Sequence, residues 1–86
     1  MGKVVKYRDT SNRREGIAVV DREKIEALRK SAGLTQEEFA ASLGLTPVPR
    51  FIDHIEKGYK QPSAALLKRM AELFGCTMDE LMKDSA

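Results

Sequence analysis

From Asp21 onward, apolar residues recur at three- and four-residue steps in short runs, and each run ends near a glycine. That period belongs to helices that bury one stripe and expose the other. Gly33, Gly44, Gly58 and Gly75 stand where a left-handed residue closes a helix. The start signals are as regular. Asp21 caps a first helix that carries Ile25, Leu28 and Ala32 on one face. Thr35-Gln-Glu-Glu38 is a capping box, in which the threonine hydroxyl and the glutamate carboxylate satisfy each other's free backbone donors. The helix it opens buries Phe39, Ala40 and Leu43. Pro62-Ser63 opens a fourth helix with Leu66 or Leu67, Met70, Ala71 and Phe74 inward. Thr77-Met-Asp-Glu80 is a second capping box and predicts a short fifth helix through Leu81 and Met82. No strand pair is expected after residue 20, so the pattern reads as an all-α domain of about five helices.

The stretch from Thr35 to Gly58 holds two short helices around a glycine turn. Counting back from Gly58 at 3.6 residues per turn puts Ile52 and Ile55 inward, with Leu45 closing the corner. Arg50, Asp53, His54 and Lys57 are left on the outward face. A helix with long polar side chains on its exposed face, propped across a second helix, has the geometry that enters a DNA major groove. Base edges there differ in donors, acceptors and methyl groups, so an outward arginine and histidine have something to read. A plain helical hairpin with a solvated face has the same periodicity, and periodicity alone leaves the two readings even.

Residues 1–20 follow a different pattern. Lys3–Tyr7 and Ile17–Val20 are apolar and rich in β-branched residues, and the segment between them is polar and turn-like. This segment reads as an arm, either flexible or a small hairpin, ahead of a domain over residues 21–86. Charge sharpens that division. The chain of 86 residues has a formal net charge of only +2, but residues 1–20 carry five bases against two acids and residues 21–86 carry ten against eleven. A basic arm on a nearly neutral domain suits contact with a polyanion, and equally a solvated tail. One cysteine excludes an internal disulfide framework and fits a reducing compartment. No apolar stretch approaches the roughly 20 residues of a membrane span, and the N-terminus has no signal-like apolar run. A cytoplasmic location, with no membrane contact, follows as an expectation.

Several motifs in order carry a more specific signal. The string Ala27-Leu-Arg-Lys-Ser-Ala-Gly-Leu-Thr-Gln-Glu-Glu-Phe-Ala-Ala-Ser-Leu-Gly-Leu-Thr46 resembles the Cro/repressor (Xre-type) helix-turn-helix family. So do Ile52-Asp-His-Ile-Glu-Lys-Gly58, Gln61-Pro-Ser63 and Leu73-Phe-Gly-Cys-Thr-Met-Asp-Glu-Leu81, and the resemblance spans about residues 22–83. It implies a five-helix, lambda-repressor-like helix-turn-helix domain that binds operator DNA as a symmetric dimer. It also implies roles for individual residues. Thr35 and Gln36 would meet the phosphate backbone at the start of helix 2. Arg50 and His54 would face base edges, and Lys57, Tyr59 and Lys60 would lie against phosphates. Glu56 would pair with Arg29 of helix 1 as a structural tie outside the DNA contacts. One departure stands out: Leu45-Thr-Pro-Val-Pro-Arg50 is about two residues longer than the family pattern and holds two prolines. Either Thr46 caps a helix starting at Pro47, or a longer turn precedes a helix starting at Pro49. A residue before proline disfavours helical geometry, and Val48 is such a residue, which favours the second. In both cases Val48 and Pro49 lie near the groove, where they offer apolar contact to a thymine methyl.

Other chemistry finds little support. His54 is the only histidine and has no serine, cysteine or carboxylate constellation at useful spacing, so the chain does not read as an enzyme. One Cys and one His cannot build a structural metal site, and no cofactor is expected. Cys76 reads as a small, half-buried residue between helices 4 and 5. Met78, Leu81 and Met82 form an apolar stripe that suggests a homodimer contact. The leading function is therefore a sequence-specific DNA-binding transcriptional regulator, a repressor acting as a dimer on a near-palindromic operator of double-stranded DNA. The alternative is an antitoxin or adaptor working mainly through protein–protein contact, with the N-terminal arm docking on the partner. A weaker third reading is non-specific architectural DNA binding.

Overall fold

The computed structural model describes residues 18–84. The expected Lys3–Tyr7 strand and the basic side chains of the arm lie outside the described residues. In order, the elements are β1 (Ala18–Val20), α1 (Arg22–Ser31), α2 (Gln36–Ser42), α3 (Arg50–Glu56), α4 (Ala64–Phe74), a single 3-10 turn (Asp79–Leu81) and β2 (Met82–Asp84).

Local signals set most boundaries. The Asp21 carboxylate accepts from the Lys24 N–H at 3.1 Å and opens α1. At α2 both halves of the capping box form: Thr35 Oγ1 accepts from the Glu38 N–H at 3.0 Å, and Glu38 Oε1 accepts from the Thr35 N–H at 2.9 Å. Ser63 Oγ accepts from the Leu66 N–H at 3.1 Å and opens α4. At the other ends, the chain leaves each helix through a glycine of positive φ. Gly44 shows why. Its φ is +79°, and a Cβ there would lie 3.2 Å from the Arg69 guanidinium, which donates to the Leu43 carbonyl at 2.8 Å. A glycine at this place gives both the turn and the close approach of α4.

The core gathers one stripe from every helix. Ile25, Phe39, Ile52, Ile55, Leu67, Met70 and Leu81 are fully buried, and the Phe39 and Phe74 rings stack with centroids 5.4 Å apart. Leu66 and Leu67 are both buried, because Leu66 closes the edge of the stripe that Leu67 centres.

Two expectations need correction. The chain is not all-α: the described residues form four α-helices and a two-stranded antiparallel sheet, in which Ala18, Val19 and Val20 pair with Asp84, Lys83 and Met82. The predicted fifth helix is one 3-10 turn. Thr77 Oγ1 does accept from the Glu80 N–H at 3.2 Å, but the backbone is extended by Met82 (φ −119°, ψ 159°). The physical reason is pairing. The chain at Met82–Asp84 satisfies its backbone groups against β1, and the Asp21 N–H donates to the Leu81 carbonyl at 2.8 Å beside the ribbon. The stripe read as a dimer contact is largely internal, with Leu81 fully buried and Met78 and Met82 packed half-buried against the core.

Candidate nucleic-acid interface

The site is built on α3. Ahead of it the chain turns through Pro47 and Val48, with the Val48 N–H donating to the Thr46 carbonyl at 2.8 Å. Pro49 caps the helix with φ −76°, and its carbonyl accepts from the Asp53 N–H at 2.9 Å. Proline supplies this cap at little cost, since its ring fixes φ near that value and no helical acceptor exists for a first-turn N–H. The helix therefore begins at Arg50, consistent with a longer turn rather than a start at Pro47.

Ile52 and Ile55 anchor α3, with exposures of 0% and 1%. Its other face presents the sequence-predicted residues together. Val48, Pro49 and Arg50 are exposed at its N-terminal end, and His54 is half-buried further along. The His54 ring meets Tyr59 edge-on with centroids 5.6 Å apart, and Tyr59 itself is 71% exposed. The Tyr59 and Lys60 N–H groups both donate to the His54 carbonyl, at 2.8 and 3.2 Å, so the exit loop folds back on the helix. Lys57, Tyr59 and Lys60, all exposed, thus stay close to the end of α3. Thr35 is at the α2 N-cap, where its hydroxyl is engaged by the Glu38 N–H.

Polar side chains of α1 and α2 fix α3 relative to its neighbours. Arg29 Nε lies 2.7 Å from Glu56 Oε2, and Arg29 Nη2 donates to Glu56 Oε1 at 3.2 Å. Both side chains are buried, at 9% and 5% exposure, and Arg29 Nη1 also donates to the Leu34 carbonyl at 2.8 Å. The tie from α2 was not visible in the sequence. Gln36, expected at a phosphate, donates its amide to Glu56 Oε1 at 3.0 Å and to Asp53 Oδ1 at 3.4 Å. It joins α2 to α3, and nothing in a lone glutamine at a helix start signals a partner on the next helix. On the outer surface Lys57 Nζ lies 3.1 Å from Asp53 Oδ2. The Lys57 hydrogen bond, with help from Gln36 and against some desolvation, holds the Asp53 carboxyl below its ordinary value; the same bond raises Lys57.

The charge balance follows from these pairs. Both acids of α3 are neutralised, Asp53 by Lys57 and Glu56 by Arg29. Among the described residues, Arg50 and Lys60 have no carboxylate partner. The exposed face therefore carries uncompensated positive charge at both ends of the helix. Elsewhere, Cys76 is half-buried, and burial together with the nearby Glu80 raises its thiol above the ordinary value. No helix among the described residues is long and apolar enough to cross a membrane.

Against this geometry the comparisons with known proteins agree. The family model described as Helix-turn-helix matches residues 25–81. The Bacillus subtilis (strain 168) protein named Uncharacterized HTH-type transcriptional regulator YazB is 40% identical over 58 residues, covering 67% of this chain and 81% of that protein. No solved structure matches the chain significantly. The matched span begins in α1, ends at the 3-10 turn and encloses the α2–turn–α3 unit, and the chain belongs to the Xre-type helix-turn-helix family.

Proposed function

We propose that the chain is a sequence-specific DNA-binding transcriptional regulator that seats the N-terminal end of α3 in the major groove. The observation that carries this reading is the exposed Arg50, a cation with no carboxylate partner among the described residues, at the tip of a helix whose opposite face is locked by Ile52 and Ile55. Arg50 pairs bidentately with a guanine edge, and His54, steadied by Tyr59, donates to a guanine or thymine acceptor. Val48 and Pro49 give apolar contact to a thymine methyl. Thr35, Gln36, Lys57, Tyr59 and Lys60 face the phosphate backbone, which fixes register without reading sequence. Gln36 contributes chiefly by holding α3 in place, because its amide is spent on Glu56 and Asp53. The regulator acts as a homodimeric repressor on a near-palindromic site, with half-sites about one helical turn (~34 Å) apart. The name of the Bacillus subtilis relative supports regulation of transcription.

Selection of bound sequences from random duplex DNA tests this directly. A palindrome is expected, and Arg50→Ala or His54→Ala should cost about 1–3 kcal/mol and relax preference at one base pair of each half-site. Failure to enrich any sequence would overturn base reading and favour the protein-binding role of an antitoxin or adaptor.

A further inference from the structure

The exit of α3, the start of α1 and the β-ribbon border a cleft of about 310 Å³ that shares Lys57 and Lys60 with the candidate interface. Its charged lining residues are all basic: Arg22, Lys57, Lys60 and Lys83. Val20, Ile55 and Pro62, all buried, form its apolar floor. Lys57 is committed to Asp53, but Lys60 and Lys83 have no carboxylate partner among the described residues. Arg22, exposed, lies along the backbone at the exit of α3. Its Nη1 donates to the Glu56 carbonyl at 3.5 Å, and its guanidinium covers Gly58, where a Cβ would stand 2.6 Å from Nη1. The φ of +84° favours glycine at residue 58, and a side chain there would also displace the arginine laid against it. Lys83 is placed by the ribbon, opposite Val19.

Cations gathered on a concave surface over an apolar floor attract a compact anion more strongly than the same charges spread on a convex face. We propose that this cleft seats a phosphate group, and that the group is a DNA backbone phosphate flanking the half-site read by α3. Arg22 and Lys83 then extend the phosphate track of Lys57, Tyr59 and Lys60 toward β1, where the basic arm enters the domain. The choice of DNA rests on the proposed base-reading role of α3. The phosphate chemistry rests on the cleft alone.

The test uses the full chain with Lys83→Gln, an exposed substitution in a ribbon held by backbone pairing, and Lys68→Gln on α4 as control. Affinity is measured by fluorescence anisotropy on the selected duplex and on random-sequence duplex across a salt series. Loss of one phosphate contact should lower the slope of log K against log salt by about 0.9, roughly a fivefold loss near 0.15 M salt, equally on both duplexes. Lys68→Gln should leave both unchanged. Unchanged affinity and slope for Lys83→Gln on an enriched site would overturn the cleft's role while leaving base reading intact. If no sequence is enriched but Lys83→Gln still lowers the slope, the cleft stands and base reading falls. In parallel, inorganic phosphate and ATP are titrated while the Gly58, Gln61 and Lys83 amides are followed by NMR. Saturable ATP binding there, with DNA affinity insensitive to Lys83→Gln, would overturn the DNA assignment and place the phosphate on a nucleotide.

Discussion

Replacing Glu56 by glutamine removes one charge from the contact between α1 and α3 and changes almost no volume. In the parent, Arg29 and Glu56 are joined by two hydrogen bonds and are almost wholly withdrawn from water. Breaking such a buried pair from one side typically costs about 3–5 kcal/mol, because the remaining charge keeps its desolvation penalty and loses its partner. The lower end applies here. Arg29 keeps the Leu34 carbonyl, and the new amide oxygen still accepts. A loss of about 3 kcal/mol is a large share of the ~5–15 kcal/mol that holds a domain together. At about 4–8 °C per kcal/mol for a domain of this size, it lowers Tm by roughly 12–24 °C. Arg29→Met should cost as much, since it strands Glu56 on Gln36 alone. The double change Arg29→Met with Glu56→Gln removes both charges and should cost far less than the two single losses summed. Urea unfolding followed by circular dichroism, arranged as a double-mutant cycle, reads all three values. If Glu56→Gln costs under about 1 kcal/mol, as exposed pairs do, or if the two single losses simply add, the pair is not a buried coupled unit and the reasoning fails.

Gly58→Ala meets both left-handed backbone strain of about 1–2 kcal/mol and the Arg22 guanidinium, whereas Gly33→Ala, with φ +75° and nothing within 4 Å, meets strain alone. Urea midpoints should therefore fall further for Gly58→Ala, and the difference should vanish in an Arg22→Ala background. Asp53 has a depressed carboxyl value, so its contribution is present at neutral pH and is lost as the pH falls below the unfolded value of about 3.9 and through the lower folded one. Asp53→Asn should flatten that acid limb of midpoint against pH. The raised, half-buried Cys76 thiol should react with iodoacetamide more slowly than free cysteine near neutral pH, and unfolding in urea should abolish the difference.

The helices were legible because their determinants are local. Asp21, Thr35 with Glu38, and Ser63 each cap within three residues, and a glycine at each exit marks the end. The inward faces followed from period alone, as at Ile52 and Ile55. The ribbon was not legible. Ile17–Val20 carried a β-branched signal, but Met82-Lys83-Asp84 has no β-branched residue and lies at the other end of the domain, so nothing in the sequence named it as the partner. Of the box read at Thr77, only the bond from the Glu80 N–H to the threonine hydroxyl forms, and such a bond does not say how many turns follow it. At the candidate interface, Arg50 and His54 could be placed by counting, and the Arg29 and Glu56 tie came from family resemblance. Gln36, Arg22 and Lys83 acquire their positions only when three separate elements meet.

The ribbon has a mechanical consequence. Because Ala18 pairs with Asp84 and Val20 with Met82, the chain enters and leaves the domain at the same end of the ladder. Tension applied through those two ends loads the rungs one after another, as in opening a zip, instead of shearing them together. Force on the chain would therefore peel away the strands carrying Val19 and Lys83 before it reached the helical core. A tug of that kind removes one wall of the basic cleft while leaving α3 standing.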